Sequence, residues 1–262
     1  MRLIASLILS LGFVALGTAQ SLSNLGSLAH FASGGGWSTT FFLYNTGSTD
    51  AQVQLDFFDD KGNVAVIPLS FPQLLIPPIS AMEFVYTLKA GSVLTVLSDS
   101  SNTTSTTGWA QLRGSANVNG YLIFRYAGTT GSGVQEAVVT PETRSGKSYV
   151  IDFDNTQERF TSFAIANLTS EPVTVMATVR DAVTGNVLGN ATAIPLVAMG
   201  HEAKLLSDVV TGIASTSGTV EFASPVAGQI SVLGLRFTQS SPATQSSSAS
   251  YAFTSTPPIM KQ

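Results

Sequence analysis

The chain carries one sequence unit twice. Residues 39–60, TTFFLYNTGSTDAQVQLDFFDD, lie over residues 161–182, TSFAIANLTSEPVTVMATVRDA, with Asn45 on Asn167, Ser48 on Ser170, Val53 on Val175 and Asp59 on Asp181. One inserted residue then brings Gly62-Asn63-Val64 onto Gly185-Asn186-Val187. Further on, 108-GWAQLRGSANVNGYLIFRY-126 lies over 218-GTVEFASPVAGQISVLGLRF-237, which sets Arg125 on Arg236 with an aromatic after each. A duplication constrains the fold strongly, because whatever is built from one unit must be buildable from the other. The expected units are 30–143 and 149–260, with a polar linker at 144–148.

Within each unit the hydrophobic period is two. Val53, Leu55 and Phe57 alternate with Gln52, Gln54 and Asp56, while Val173, Val175, Ala177 and Val179 alternate with Thr174, Met176, Thr178 and Arg180. That period belongs to strands with one face buried and one face wet. Asn45-Thr46-Gly47-Ser48, Lys61-Gly62-Asn63 and Asn119-Gly120 supply turn chemistry between the runs. No segment has an apolar stripe at helical spacing. About seven short strands in roughly 110 residues predict an all-β chain of two tandem immunoglobulin-like antiparallel β-sandwiches.

Residues 1–19, MRLIASLILSLGFVALGTA, read as a secretory signal peptide: one basic residue, an apolar run too short to span a bilayer, then Gly17 and Ala19 at the positions a signal peptidase requires. Residues 20–29 are expected to be an N-terminal linker. Charged residues make up only 11% of the chain, against roughly 25% in an ordinary soluble domain. The surface is therefore Ser, Thr, Asn, Gln and Gly, which suits a secreted, extracellular or periplasmic protein. Net charge is −4 with no block of Lys or Arg, which argues against nucleic acid and against an anionic membrane as partners. Cysteine is absent, so neither a lipid anchor at the cleavage site nor disulfide stapling is open to it. No membrane insertion is expected after cleavage.

Three features invite a chemical reading. The stretch 56-DFFDDKGNV-64 groups three aspartates about a Lys-Gly-Asn tip, but the second copy, 178-TVRDAVTGNV-187, keeps only Asp181, Gly185 and Asn186. What both copies share is turn chemistry, so a hairpin is expected, without a metal. The arginines at Arg125 and Arg236 are expected to point outward and pair across strands with Asp59 or Asp56 and with Asp181, a structural role. Asp152, Asp154 and Glu158 cluster within 152-DFDNTQER-159, so a solvated loop is expected there, with a structural calcium site and then acid/base catalysis as the alternatives; no other cofactor is expected. The glycines of 30-HFASGGGW-37 lack the Lys-Ser/Thr of a phosphate loop. Only two histidines occur, His30 and His201, at non-equivalent places, and no nucleophile with a paired base is visible. The expectation is a non-enzymatic protein.

Binding residues are sought among the aromatics. Trp37 and Trp109 both fall in the first unit, opposite Arg159 and Thr219 of the second. Exposed, they would stack on sugar rings or anchor a protein; the alternative is that they cover the first core or its contact with the second unit. Tyr44 and Tyr121 complete the candidate contacts. The partner expected is an extracellular protein or a polysaccharide.

Residues 30–63, with Gly-Gly-Trp-Ser-Thr, Asn-Thr-Gly-Ser and Phe-Phe-Asp-Asp-Lys-Gly-Asn, and residues 107–125, with Gly-Trp-Ala-Gln and Ile-Phe-Arg, resemble a group of secreted bacterial proteins that recur in soil acidobacteria. The likeness extends over most of both units, and in a broader sense these look like bacterial immunoglobulin-like or fibronectin-like modules. It implies an extracellular β-sandwich and brings no catalytic residues with it. Adhesion, matrix or envelope-associated binding is the function expected, with a carbohydrate-binding or carbohydrate-acting protein as the alternative.

Overall fold

The computed structural model describes residues 22–99, 101–127, 134–241 and 250–261; the expected signal peptide, residues 1–19, lies outside them. Strand makes up 63% of the structure and helix almost none. The first half runs β1 (Ser23–Ser33), β2 (Trp37–Asn45), β3 (Ala51–Asp59), β4 (Ile67–Leu69), β5 (Ile79–Ala81), β6 (Glu83–Leu88), β7 (Val93–Asp99), β8 (Thr106–Gly114), β9 (Val118–Ala127) and β10 (Val134–Val139). The second half runs β11 (Ser148–Asp154), β12 (Arg159–Asn167), β13 (Val173–Asp181), β14 (Thr192–Leu196), β15 (His201–Leu205), one helical turn α1 (Leu206–Val209), β16 (Ser217–Ala223), β17 (Ile230–Ser241), β18 (Ser250–Thr256) and β19 (Ile259–Lys261). The stretch 20–29, expected as linker, enters β1 at Ser23, and β1 is buried from Gly26 to its end.

All pairings between these strands are antiparallel, and one strand order occurs twice. β1-β8-β3-β6 faces β10-β9-β2-β7; β11-β16-β13-β14 faces β18-β17-β12-β15, with β19 added beside β11. Alternation does the folding: Phe41, Leu43, Val53, Leu55, Phe57, Leu122 and Phe124 fill the first core, and Ile151, Phe153, Phe163, Val175, Val179, Val220 and Phe222 the second. Each such side chain contributes roughly 1.5–3 kcal/mol when fully buried.

Two buried asparagines mark the repeat at atomic level. Asn45 donates its Nδ2 hydrogens to the carbonyls of Thr49, Leu88 and Lys89 and accepts from the Gly47 amide; Asn167 donates to Glu171 and Val197 and accepts from Thr169. Each ties the turn after its strand to a neighbouring strand end, because a buried amide must satisfy its polar atoms. Thr39 and Thr161 are another such pair, accepting the amides of Ala32 and Asp154 through their hydroxyls.

The halves do not separate cleanly into two immunoglobulin domains. Ala164, Leu233, Leu235 and Phe253 of the second half belong to the first half's core, where Phe253 stacks on Phe124 with centroids 5.4 Å apart. The sheet containing β12 and β17 is therefore buried on both faces, which is why 163-FAIA-166 and 232-VLGL-235 are apolar without alternation. Strand connections differ as well: successive strands change sheet at β1→β2, β2→β3, β6→β7, β7→β8 and β8→β9, whereas the immunoglobulin order keeps A with B and D with E. The class is all-β, and the four principal sheets form a four-blade, propeller-like arrangement.

The paired arginines are corrected by register. Phe124 lies opposite Thr39, and Arg236 lies opposite Thr161, the counterpart of Thr39. Arg236 thus occupies the position of Phe124, not of Arg125; a slip of one residue exchanges the two faces of a strand. Asp59 and Arg125 stand on β3 and β9, and Asp181 and Arg236 on β13 and β17, in different sheets each time. Arg125 pairs instead with Glu136 at 3.8 Å, across β9 and β10. Asp59 and Asp181 accept backbone amides in their own turns, from Lys61 and Asn63 and from Val183 and Thr184.

Candidate functional site

The two tryptophans turn inward. Trp109 on β8 is fully buried, stacked on Phe58 at 4.6 Å, and its indole N–H donates to the Met199 carbonyl of the second half at 2.7 Å. It offers no face to a ligand; it is part of the junction. Trp37 is half-buried against Tyr126, Phe124 and Phe253, at 4.7, 5.8 and 5.8 Å between centroids. It covers the seam where the second half meets the first.

Tyr44 and Tyr121 come together, and they bring a third ring that the sequence reading passed over. In 41-FFLY-44 the period of two sends Phe41 and Leu43 inward and Phe42 and Tyr44 outward. Tyr121 on β9 is the partner of Phe42 in the ladder. The rings of Phe42 and Tyr121 lie 5.0 Å apart at 25°, and those of Tyr44 and Tyr121 6.0 Å apart at 23°. The outcome is a row of three nearly parallel, half-exposed rings on the outer face of the sheet. The two phenol oxygens are 3.4 Å apart, and that bond holds the Tyr44 phenol above its ordinary pKa, so it remains protonated. The tyrosines line an open depression of about 560 Å³, with Thr46, Asn119, Thr140 and Pro141 around them. Gly120 lines it through its backbone alone; its side-chain position faces inward, where a Cβ would sit 2.7 Å from the Phe42 carbonyl oxygen and against Leu43 and Leu112. Stacked rings cover much of one another's faces, so the depression receives ring edges and the two phenol hydroxyls, with Thr46, Asn119, Thr140 and Pro141 around them, a lining that suits a ligand with both C–H and hydroxyl surface.

A second constellation joins residues the sequence gave no reason to connect. His30, just before the end of β1, sets its Nδ1 3.2 Å from the Nε2 of His201 at the start of β15. The Nδ1 of His201 lies 2.7 Å from Asp60 Oδ1, and Thr107 donates to Asp60 Oδ2 at 2.7 Å. The His201 side chain has no exposed surface. Burial pushes the His30 pKa down to about 3, helped by its closeness to His201 and only partly opposed by Asp60. Asp60 is held below its ordinary value: partial burial works to raise it, but the bonds from His201 and Thr107 outweigh that. Chemically this is a closed chain. In a hydrolase an Asp–His pair ends on a hydroxyl or thiol; here it ends on a second imidazole, and both ring nitrogens of His201 are taken. The constellation fastens one half to the other.

The hairpin tip that contributes Asp60 thus does more than turn. Gly62 has φ of 77°, and a side chain there would overlap the Ala198 carbonyl oxygen of the second half. The His201 amide donates to the Asp60 carbonyl at 3.2 Å. Its counterpart Gly185 has φ of 68° and open space around it.

The acidic loop 152–159 is not assembled around a cation. Asp154 binds Arg159 at 2.8 Å and accepts from the Thr156 amide and hydroxyl. Burial works to raise its pKa, but the Thr156 bonds and the charges of Arg159 and Arg236 outweigh it and hold the carboxyl below the usual range. Asp152 points outward from β11, and Glu158 lies exposed at φ of 63°. Among the described residues no group of three or more His, Cys, Asp or Glu side chains is placed to hold a metal ion.

Comparison of the chain with protein-family models, with curated proteins and with solved structures finds no match.

Proposed function

We propose that the protein is a secreted, non-enzymatic binding module, built from two tandem β-sandwich units that are immunoglobulin-like in size and strand number, and that its ligand is an extracellular polysaccharide. The observation that carries this reading is the open depression lined by Tyr44 and Tyr121, whose rings stack in a partly exposed row with Phe42 on the outer face of the sheet. A pyranose ring presents C–H groups on its faces and hydroxyls at its rim. The carbon surfaces of Tyr44, Tyr121 and Pro141 meet the first, and the phenols, Thr46, Asn119 and Thr140 meet the second. Of the two expected functions, general adhesion and carbohydrate binding, the second gains support. The tryptophans that would have stacked on sugars or anchored a protein are engaged in the fold, which counts against both alike; what favours the sugar is the tyrosine-lined depression with its hydroxyl and amide rim.

The test is retention on insoluble polysaccharides and titration with soluble ones, using the mature protein and its Tyr44→Ala and Tyr121→Ala variants. Saturable binding, weakened about tenfold or more by either substitution with an unchanged melting temperature, is expected. Equal binding by all three proteins, or none to any polysaccharide, overturns the assignment.

A further inference from the structure

We infer that the site does not end at the tyrosines but continues as a groove along the linker onto the second half, so that the ligand is an extended chain and not a terminal sugar. This rests on the polysaccharide reading above. Three depressions, of about 560, 410 and 290 Å³, border the same short segment, residues 140–145. Thr140, Pro141 and Thr143 line both the tyrosine depression and the second one; Glu142, Thr143 and Arg144 line the second and the third. The second depression is walled on its far side by Val232, Leu233, Ser255, Pro257 and Pro258. It therefore lies between the halves, where β10 runs beside β18. Exposed Val138 stands on the outward face of β10, two residues from the shared Thr140, and lines the second depression.

The segment that forms this ridge is held from both sides. The amide and carbonyl of Glu142 exchange hydrogen bonds with those of Ser27 on β1, at 2.8 and 3.1 Å. The Glu142 carboxylate takes the Arg144 guanidinium in two bonds, of 2.8 and 2.6 Å, and Arg144 also donates to the Pro258 carbonyl at 3.1 Å. A groove whose ridge is already ordered loses less conformational entropy when a ligand arrives. Its chemistry changes along its length: tyrosine rings and phenols first, then threonine hydroxyls and proline rings, then the Glu142–Arg144 pair. Chain sugars carry apolar faces and hydroxyl edges on successive residues, and match such an alternation. A single terminal sugar would use only the first depression and leave the junction idle.

The experiment is a length series of oligosaccharides cut from whichever polysaccharide the protein retains, titrated into the wild type and into Tyr121→Ala, Val138→Trp and Ser255→Trp. The last two fill the second depression from opposite walls, and thermal melting identifies any that fail to fold. Affinity is expected to rise about tenfold or more from dimer to hexamer in the wild type. In Val138→Trp and Ser255→Trp the dimer binds as before and the rise with length is lost, while Tyr121→Ala weakens every length. Affinity independent of length, or a rise that survives both fillings, overturns the groove and leaves the tyrosine platform standing as the whole site. Absence of binding at every length overturns the polysaccharide reading together with the groove.

Discussion

The Nδ1 of His30 and the Nε2 of His201 face each other across 3.2 Å, 171 residues apart in sequence. With Asp60 ionised, His201 donates from Nδ1 to the carboxylate and presents a bare Nε2, to which His30 donates. One neutral tautomer of each ring satisfies the chain.

That arrangement makes the fold sensitive to acid. The His30 pKa falls from an ordinary 6.5 to about 3, so the group lies lower in the folded than in the unfolded state. Its contribution is complete above pH 6.5 and drains away as pH falls toward 3. The stability lost between pH 7 and pH 4 from this residue is about 3 kcal/mol. Urea unfolding midpoints measured across that range should fall in the wild type, and fall less steeply in His30→Gln. A wild-type midpoint that is level from pH 7 to pH 4 contradicts the buried, neutral assignment.

The Trp109 N–H holds the Met199 carbonyl, itself in a residue with φ of 55°. Trp109→Phe keeps much of the ring and leaves that carbonyl unpaired, at a cost of about 1–3 kcal/mol. Trp109→Ala also leaves a cavity and should cost about 3–5 kcal/mol. Neither should alter polysaccharide affinity in protein that remains folded, a point the same titrations check.

Gly62 and Gly185 offer an internal control. Both have positive φ, but only Gly62 has a neighbour, the Ala198 carbonyl, in the way of a side chain. Gly185→Ala should cost about 1–2 kcal/mol for the left-handed backbone alone. Gly62→Ala adds a steric conflict at the junction and should cost about 1–3 kcal/mol more. Calorimetric melts of the two variants, compared with wild type, decide it; equal losses would mean that the hairpin tip does not dock.

Asn45→Ala and Asn167→Ala should each destabilise by about 1–3 kcal/mol, because each leaves buried carbonyls without their donor. The measurement is chemical denaturation. A loss at one site only would contradict the equivalent roles given to the pair.

The duplication and the strand class were legible because both are local. A period of two in 51-AQVQLDFF-58 and 172-PVTVMATVR-180, and asparagines that tie down a turn, repeat whenever the unit repeats. Comparing copies was also where sequence reasoning lost the site. Asp60, absent from the second copy as Ala182, looked dispensable for that reason. The residues that join two copies are used once, so they are the ones a repeat does not preserve: Asp60, His201, Trp109 and the lack of a side chain at Gly62. The arginine correspondence failed for a related reason. The turn before β17, residues 224–229, is two residues longer than its counterpart at 114–117. An alignment that allows one extra residue there leaves every later position on the wrong face.

Backbone period and turn chemistry are properties of neighbours in the chain, and they were sufficient to specify strands, the repeated unit and the inward and outward sides of β2 and β3. Which apolar side chains stay wet is a property of what packs against them. Nothing local distinguishes Trp109, sealed by Met199, from Tyr121, left half-open beside Phe42. That difference arises when the second half settles on the first, because burial is set by surfaces brought together from distant parts of the chain.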